Sequence, residues 1–133
     1  MKMINYYILF LGLAYVISSF MFILENINII KIGLNQIIPA DAGMALYFLT
    51  VGTLYNYAYF KSSEEVFKTS LLLASIMSIA LMSVQALHYS LQFIGQIVSD
   101  HNIEVLFNLV RIEIILGILS IPILLKERRT IHD

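Results

Sequence analysis

Gln85, His88, Arg111 and Glu113 are the side chains in this 133-residue sequence whose types and spacing bear on chemistry, because each interrupts an otherwise apolar stretch. Gln85 precedes His88 by three residues and Gln92 follows it by four, so a helix puts all of them on one face. Arg111 and Glu113 break a second apolar run, where an unpaired charge in a bilayer costs at least ~2.5–3.5 kcal/mol. On a continuous helix a step of two residues turns ~200°, so these two charges are predicted not to meet. Arg111 then shares a face with Glu104 and Asn108, and Glu113 shares one with Gly117 and Ser120. A hairpin folded about Ser99 brings His88 to the level of both charges. The expectation is one polar layer of Gln85, His88, Arg111 and Glu113, with Tyr47, Thr50, Gln92 and Asn108 as contributors. The other half of the molecule should be apolar apart from Asn56 and scattered serines.

Such a layer supports different kinds of chemistry. A hydrogen-bonded network, with His88 on Glu113 and Arg111 on carbonyls or a partner chain, would fix helix register or dock another subunit. A proton relay would use His88 and Glu113, since burial and neighbouring charges bring both groups toward neutrality; the apolar half offers such a relay no continuing path. A redox cofactor would take His88 as a haem ligand or a quinone contact. Bis-histidine haem is ruled out, because His88 is the one histidine inside an apolar run; Met44 or Met21 would have to be the second ligand. The expectation is therefore no cofactor. Asp100 and His101 are too few to make a metal site. No Ser/His/Asp arrangement, HExxH motif, glycine-rich phosphate loop or acidic metal cluster is present, so the chain is expected not to be an enzyme. The sequence has no cysteine, which removes disulfides, thiolate metal sites and thiol redox chemistry.

The elements that must hold these residues are apolar spans. With 59% hydrophobic and 13% charged residues, the composition lies outside the soluble globular range. The apolar residues gather into four runs of about bilayer length, at about 4–24, 42–60, 66–94 and 103–125. The predicted fold is all-α: one transmembrane domain over residues 1–133, an integral membrane four-helix bundle in up-down-up-down order. The short connections leave no room for a soluble domain or a nucleic-acid surface. A signal peptide is the rival reading of the first run, but its core is too long and no small-x-small site follows Phe20-Met21-Phe22.

Local signals place the ends. Pro39 and Asp41 suit the first turn of helix two. Ser62-Ser63-Glu64-Glu65 reads as a capping box for helix three, which continues to about Val98; Ser99-Asp100 reads as a cap for helix four. Pro122 should loosen the last turns. Between the first two spans, Ile27, Ile30, Leu34, Ile37 and Ile38 recur at helical spacing, the pattern of a short interfacial helix, although an extension of helix one fits nearly as well. Lys2, Lys61, Lys68, Lys126, Arg128 and Arg129 fall on one side and Lys31 on the other, which predicts that both termini are cytoplasmic. Tyr6, Tyr7, Tyr55, Tyr57 and Tyr59 are expected to form the interfacial belt on that same side. Small and polar residues seven apart, Asn5, Gly12, Ser19 and Asn26 on helix one and Ser78, Gln85, Gln92 and Ser99 on helix three, predict helix-packing seams, with Gly117 serving helix four.

These features lead to an expectation of a small polytopic membrane subunit that stabilises or assembles a larger membrane complex. Its partners would be the lipid bilayer and other integral membrane subunits, or itself as a homo-oligomer, with no nucleic acid. The alternative is a small transporter or proton conductor using Glu113 and His88, and a haem- or quinone-contacting respiratory subunit stands behind that.

Overall fold

A computed structural model describes residues 2–27, 38–39, 41–60, 64–98 and 111–132, with side chains from Asn5 onward except at 64, 96 and 127–132. Apart from Ile27, Ile38, Pro39, Asp41 and Arg111, the described residues are helical, in the elements α1 (Lys2–Asn26), α2 (Ala42–Phe60), α3 (Glu64–Val98) and α4 (Ile112–His132). They pack as a ring: α1 on α2, α2 on α3, α3 on α4 and α4 back on α1. Two of them, over Asn5–Asn26 and Glu65–Gly95, are long and apolar enough to cross a membrane. α1 is integral to the bundle, since Ile8, Leu11 and Tyr15 are fully buried in its core.

The ends follow local chemistry where they are described. Asp41 caps α2: its Oδ1 accepts from the Met44 amide at 2.8 Å and its carbonyl from the Ala45 amide at 3.0 Å. The carboxylate therefore stands just before the helix, and Pro39 lies outside it. The proposed caps at Ser62 and Ser99-Asp100, most of the 25–39 connection and the 103–110 part of the fourth run lie outside the described residues. α4 runs through Pro122 to His132, seven residues past the expected end of the span at 125. A proline deep in a helix removes one ladder bond and leaves the flanking turns in place.

Close packing is made where the sequence has glycine. A Cβ on Gly52 would come within 2.9 Å of the Gly12 carbonyl and 2.7 Å of Val16, so α1 and α2 approach backbone to backbone. A Cβ on Gly12 would sit 2.5 Å from Asn56 Oδ1, and the Ser19 hydroxyl donates to the Ala45 carbonyl at 2.8 Å. These contacts pair rising numbers on α1 with falling numbers on α2, which makes the two antiparallel. On the other side a Cβ at Gly117 would lie 2.3 Å from Met82 Cβ, and Ser120 meets Ser78 one turn further along. The predicted seam on α1 is therefore a central one: Gly12 and Ser19 are buried, whereas Asn5 and Asn26 are exposed. On α3 burial fades along the seam, from Ser78 (buried) to Gln85 (half-buried) to Gln92 (exposed).

Apolar side chains are found both outside and inside. Phe10, Phe20, Leu46, Phe60, Leu87 and Ile118 are all more than half exposed, Phe60 at 75%. Ile8, Leu11, Phe48 and Val51 are buried at 0% together with Ser75, Ser78, Ser120 and Glu113. Exposed hydroxyls bond to their own helix: Thr50 to Leu46 O, Thr69 to Glu65 O, Ser83 to Ile79 O and Ser90 to Ala86 O, all at 2.8–2.9 Å. Inward hydroxyls bond across helices instead. The tyrosine belt needs one correction: Tyr6 and Tyr57 are exposed as expected, but Tyr55 is fully buried at the bundle centre. Its aromatic ring packs beside Tyr15, with centroids 6.2 Å apart, and a phenol there needs a buried partner.

Candidate functional site

The polar residues form two groups, and only one was anticipated. Between α3 and the start of α4 lies a hollow of about 350 Å³ whose polar lining is Gln85, His88, Tyr89, Gln92 and Arg111, with Val84 and Ile114 as its apolar wall. The antiparallel register set by Gly117 on Met82 brings Arg111 level with His88, as a hairpin about Ser99 requires.

The charges are arranged differently from the expectation. Arg111 Nε donates to both Glu113 oxygens, at 3.1 and 3.3 Å, so the two do pair. The 200° argument fails because Arg111 is not helical. α4 opens at Ile112, the Ile114 amide bonds back to the Arg111 carbonyl at 3.2 Å, and Arg111 occupies the position just before the first turn. Its side chain can therefore fold over that turn onto Glu113. Glu113 lies in the first turn, where exposed amide donors favour a carboxylate. Arg111 Nη2 also donates to the Ile38 carbonyl at 2.7 Å, tying the chain ahead of α2 to the start of α4. Glu113 is fully buried and does not line the hollow; Arg111 is one-quarter exposed and does.

His88 bonds to Gln92, not to Glu113, at 2.9 Å between Nε2 atoms. An amide nitrogen can only donate, so His88 Nε2 accepts and carries its proton on Nδ1. Gln85 is half-buried and has no hydrogen-bond partner among the described residues. Two expected contributors are elsewhere: Tyr47 donates to the Met77 carbonyl at 2.8 Å, and Thr50 is exposed on its own backbone. Asn108 lies outside the described residues. Tyr89 and the Ile38 carbonyl were not anticipated; Tyr89 follows His88 directly and its ring borders the face that Gln85 begins.

The second group is a hydroxyl network at the centre of the ring. Tyr15 on α1 bonds Ser78 on α3, and Ser78 meets Ser120 on α4 at 2.8 Å. Tyr55 on α2 reaches Ser120 at 2.9 Å and Ser75 at 3.3 Å. Ser120 also bonds the Leu116 carbonyl of its own helix at 2.9 Å. With its one proton given to Leu116, Ser120 accepts from both Tyr55 and Ser78, and is the hub. Each diagonal of the bundle is thereby bridged, α1 to α3 and α2 to α4. The half expected to be apolar therefore contains a cross-linked polar core. The sequence does carry a signal: Ser75 and Ser78 share a face, as do Glu113, Gly117 and Ser120. What it lacks is the level at which tyrosines from α1 and α2 arrive.

Chemically the network is closed. Among the described residues it holds hydroxyls and one carbonyl, with no carboxylate or imidazole. The hollow, by contrast, has donors and an apolar wall on one concave surface. Among the described residues, no three of His, Asp and Glu come together as a metal would need. No protein-family model, curated protein or solved structure matches this chain.

Proposed function

We propose that this chain is a non-enzymatic, four-span integral membrane protein that serves as a subunit stabilising or assembling a larger membrane complex. The membrane reading draws on the apolar exterior, with large apolar side chains outward and hydroxyls and Glu113 among the buried residues. In lipid a hydroxyl must be satisfied within the protein, and the outward ones are satisfied by their own helices.

The observation that carries the subunit reading is the apolar, exposed end of α3. At 35 residues the helix is ~50 Å long, against a hydrocarbon core of ~30 Å. Over its last turns Leu87, Leu91, Ile94, Ile97 and Val98 are each more than half exposed. His88, Ser90 and Gln92 are exposed along the same stretch. Lipid suits the apolar side chains and not His88 or Gln92; headgroups and water suit the reverse. A partner protein satisfies both. The pairing of Arg111 with Glu113 removes a different ground, an unpaired charge on α4 seeking an external partner, so the weight rests on α3. Extraction from the native membrane in mild detergent, followed by native separation and mass spectrometry, tests the proposal. Reproducible co-migration with other membrane proteins is expected, and migration as a clean monomer overturns it.

A transporter or proton conductor remains the second reading, and the hollow favours it. Against a relay stand the separation of His88 from Glu113 and the enclosure of Glu113 by Arg111. A pH-dependent flux in proteoliposomes, abolished by Glu113→Gln, would establish that reading in place of the first.

A further inference from the structure

We infer that the hollow between α3 and α4 binds the uncharged, carbonyl-bearing head of a membrane amphiphile. The inference builds on the membrane reading and does not require the subunit reading, whose partner would cover the same apolar end of α3.

The hollow is rich in donors and balanced in charge. Gln85 has an amide without a partner among the described residues, in a half-buried position beside apolar Val84. Its amide donors are therefore available to an occupant that supplies an acceptor. Gln92 spends one amide proton on His88 and keeps a second. Arg111 stands on the wall with its charge matched by Glu113 directly behind it. An anionic head would have to approach beside that carboxylate, without a surplus positive charge to attract it. A neutral carbonyl meets the same donors without this penalty.

Shape and position suit an amphiphile. On α3 the line Val84, Leu91, Val98 with Leu87 and Ile94 beside it is exposed and apolar, and Gln85, His88 and Gln92 form the adjoining face at the same level. A head in the hollow thus continues into a tail along that apolar line. A volume of about 350 Å³ is enough for a ring or an ester head and falls in the range of small-molecule sites. Quinones and acylglycerols share this chemistry, a neutral head with carbonyl acceptors on a long apolar tail.

The experiment uses the full chain in lipid nanodiscs with 15N-labelled glutamine. The side-chain amide signals of Gln85 and Gln92 are followed by NMR during titration with decylubiquinone, dioctanoylglycerol or octyl phosphate. Saturable shifts of both amides with either neutral probe are expected; the quinone alone, the glyceride alone, or both, identifies the source. Gln85→Leu should weaken the saturable binding about tenfold, the loss of one hydrogen bond, with Gln92→Leu as a second variant. Saturation with octyl phosphate alone, or with no probe, overturns the inference on the unsubstituted chain. Alkaline carbonate washing of vesicles separates the two failures. A chain washed off the bilayer overturns the membrane reading and the site together, whereas one that stays yet shows no saturable shift overturns the site alone.

Discussion

At the scale of single residues, the pairing of Arg111 with Glu113 is the most consequential contact. Glu113 is fully buried, and removing it strands a guanidinium that is only one-quarter exposed. Breaking a buried pair costs ~3–5 kcal/mol, and the partial exposure of Arg111 brings the expected loss for Glu113→Ala down to about 2–3 kcal/mol. The double substitution Arg111→Leu with Glu113→Leu should recover much of this, because no charge is left unmatched. Thermal unfolding in detergent checks both; equal losses in the single and double variants would refute the coupling. Ser120 sets the second case. Ser120→Ala leaves Ser78 without its acceptor and Tyr55 with only the longer bond to Ser75, and should cost about 1–3 kcal/mol. Ser90→Ala removes only a bond to its own helix and should be near neutral, so similar losses at both positions would deny the hub its role. These residue-scale features were partly legible. Gln85, His88 and Arg111 were named from type and spacing, and they do meet at one hollow. The Arg111–Glu113 contact was not legible, because the periodicity rule assumes a helix that passes unbroken through both residues.

The helices themselves were the easier part to read. Runs of apolar residues near bilayer length give four helices, and α2 begins and ends where expected, at Ala42 and Phe60. Seven-residue spacing correctly marked Gly12 and Ser19 for close packing, because small residues at one helical face have few other uses. It overreached at Asn5 and Asn26, which are exposed. Tyr55 was read as a surface anchor from its neighbours Tyr57 and Tyr59. Only the rotation of α2, set by the Gly52–Gly12 approach, turns it inward. That approach makes a sharp prediction. A methyl group at Gly52 meets the backbone of α1, which cannot move aside locally, so Gly52→Ala should destabilise by about 1–3 kcal/mol. A methyl group at Gly95 meets nothing within 4 Å among the described residues, and Gly95→Ala should be neutral or stabilise by up to ~1 kcal/mol through helix propensity. Circular dichroism during heating distinguishes them, and a Gly52→Ala chain as stable as the parent would mean that α1 and α2 do not touch there.

For the whole molecule, the organising fact is an apolar exterior around a core that mixes apolar side chains with hydrogen-bonded hydroxyls. Exposed phenylalanine and leucine surround a core in which Ile8, Leu11, Phe48 and Val51 are buried beside tyrosine and serine hydroxyls that bond across helices. In the proposed lipid setting this arrangement gives the helices directional contacts that apolar packing alone does not supply. It also explains how a chain with so few charges can hold one arrangement of four helices: each diagonal is bridged by hydrogen bonds, and each hairpin is set by glycine. The membrane proposal entails a topology in which all four helices cross a bilayer with both ends in the cytoplasm. The absence of cysteine makes this directly measurable, because every introduced thiol is the only one in the chain. Lys31→Cys, Lys61→Cys, His101→Cys and Thr130→Cys would each be treated with a membrane-impermeant maleimide in intact cells and after permeabilisation. The account predicts labelling of the first and third positions in intact cells, and of the second and fourth only after permeabilisation. Equal labelling of all four positions, or recovery of the chain in the soluble fraction, would contradict it.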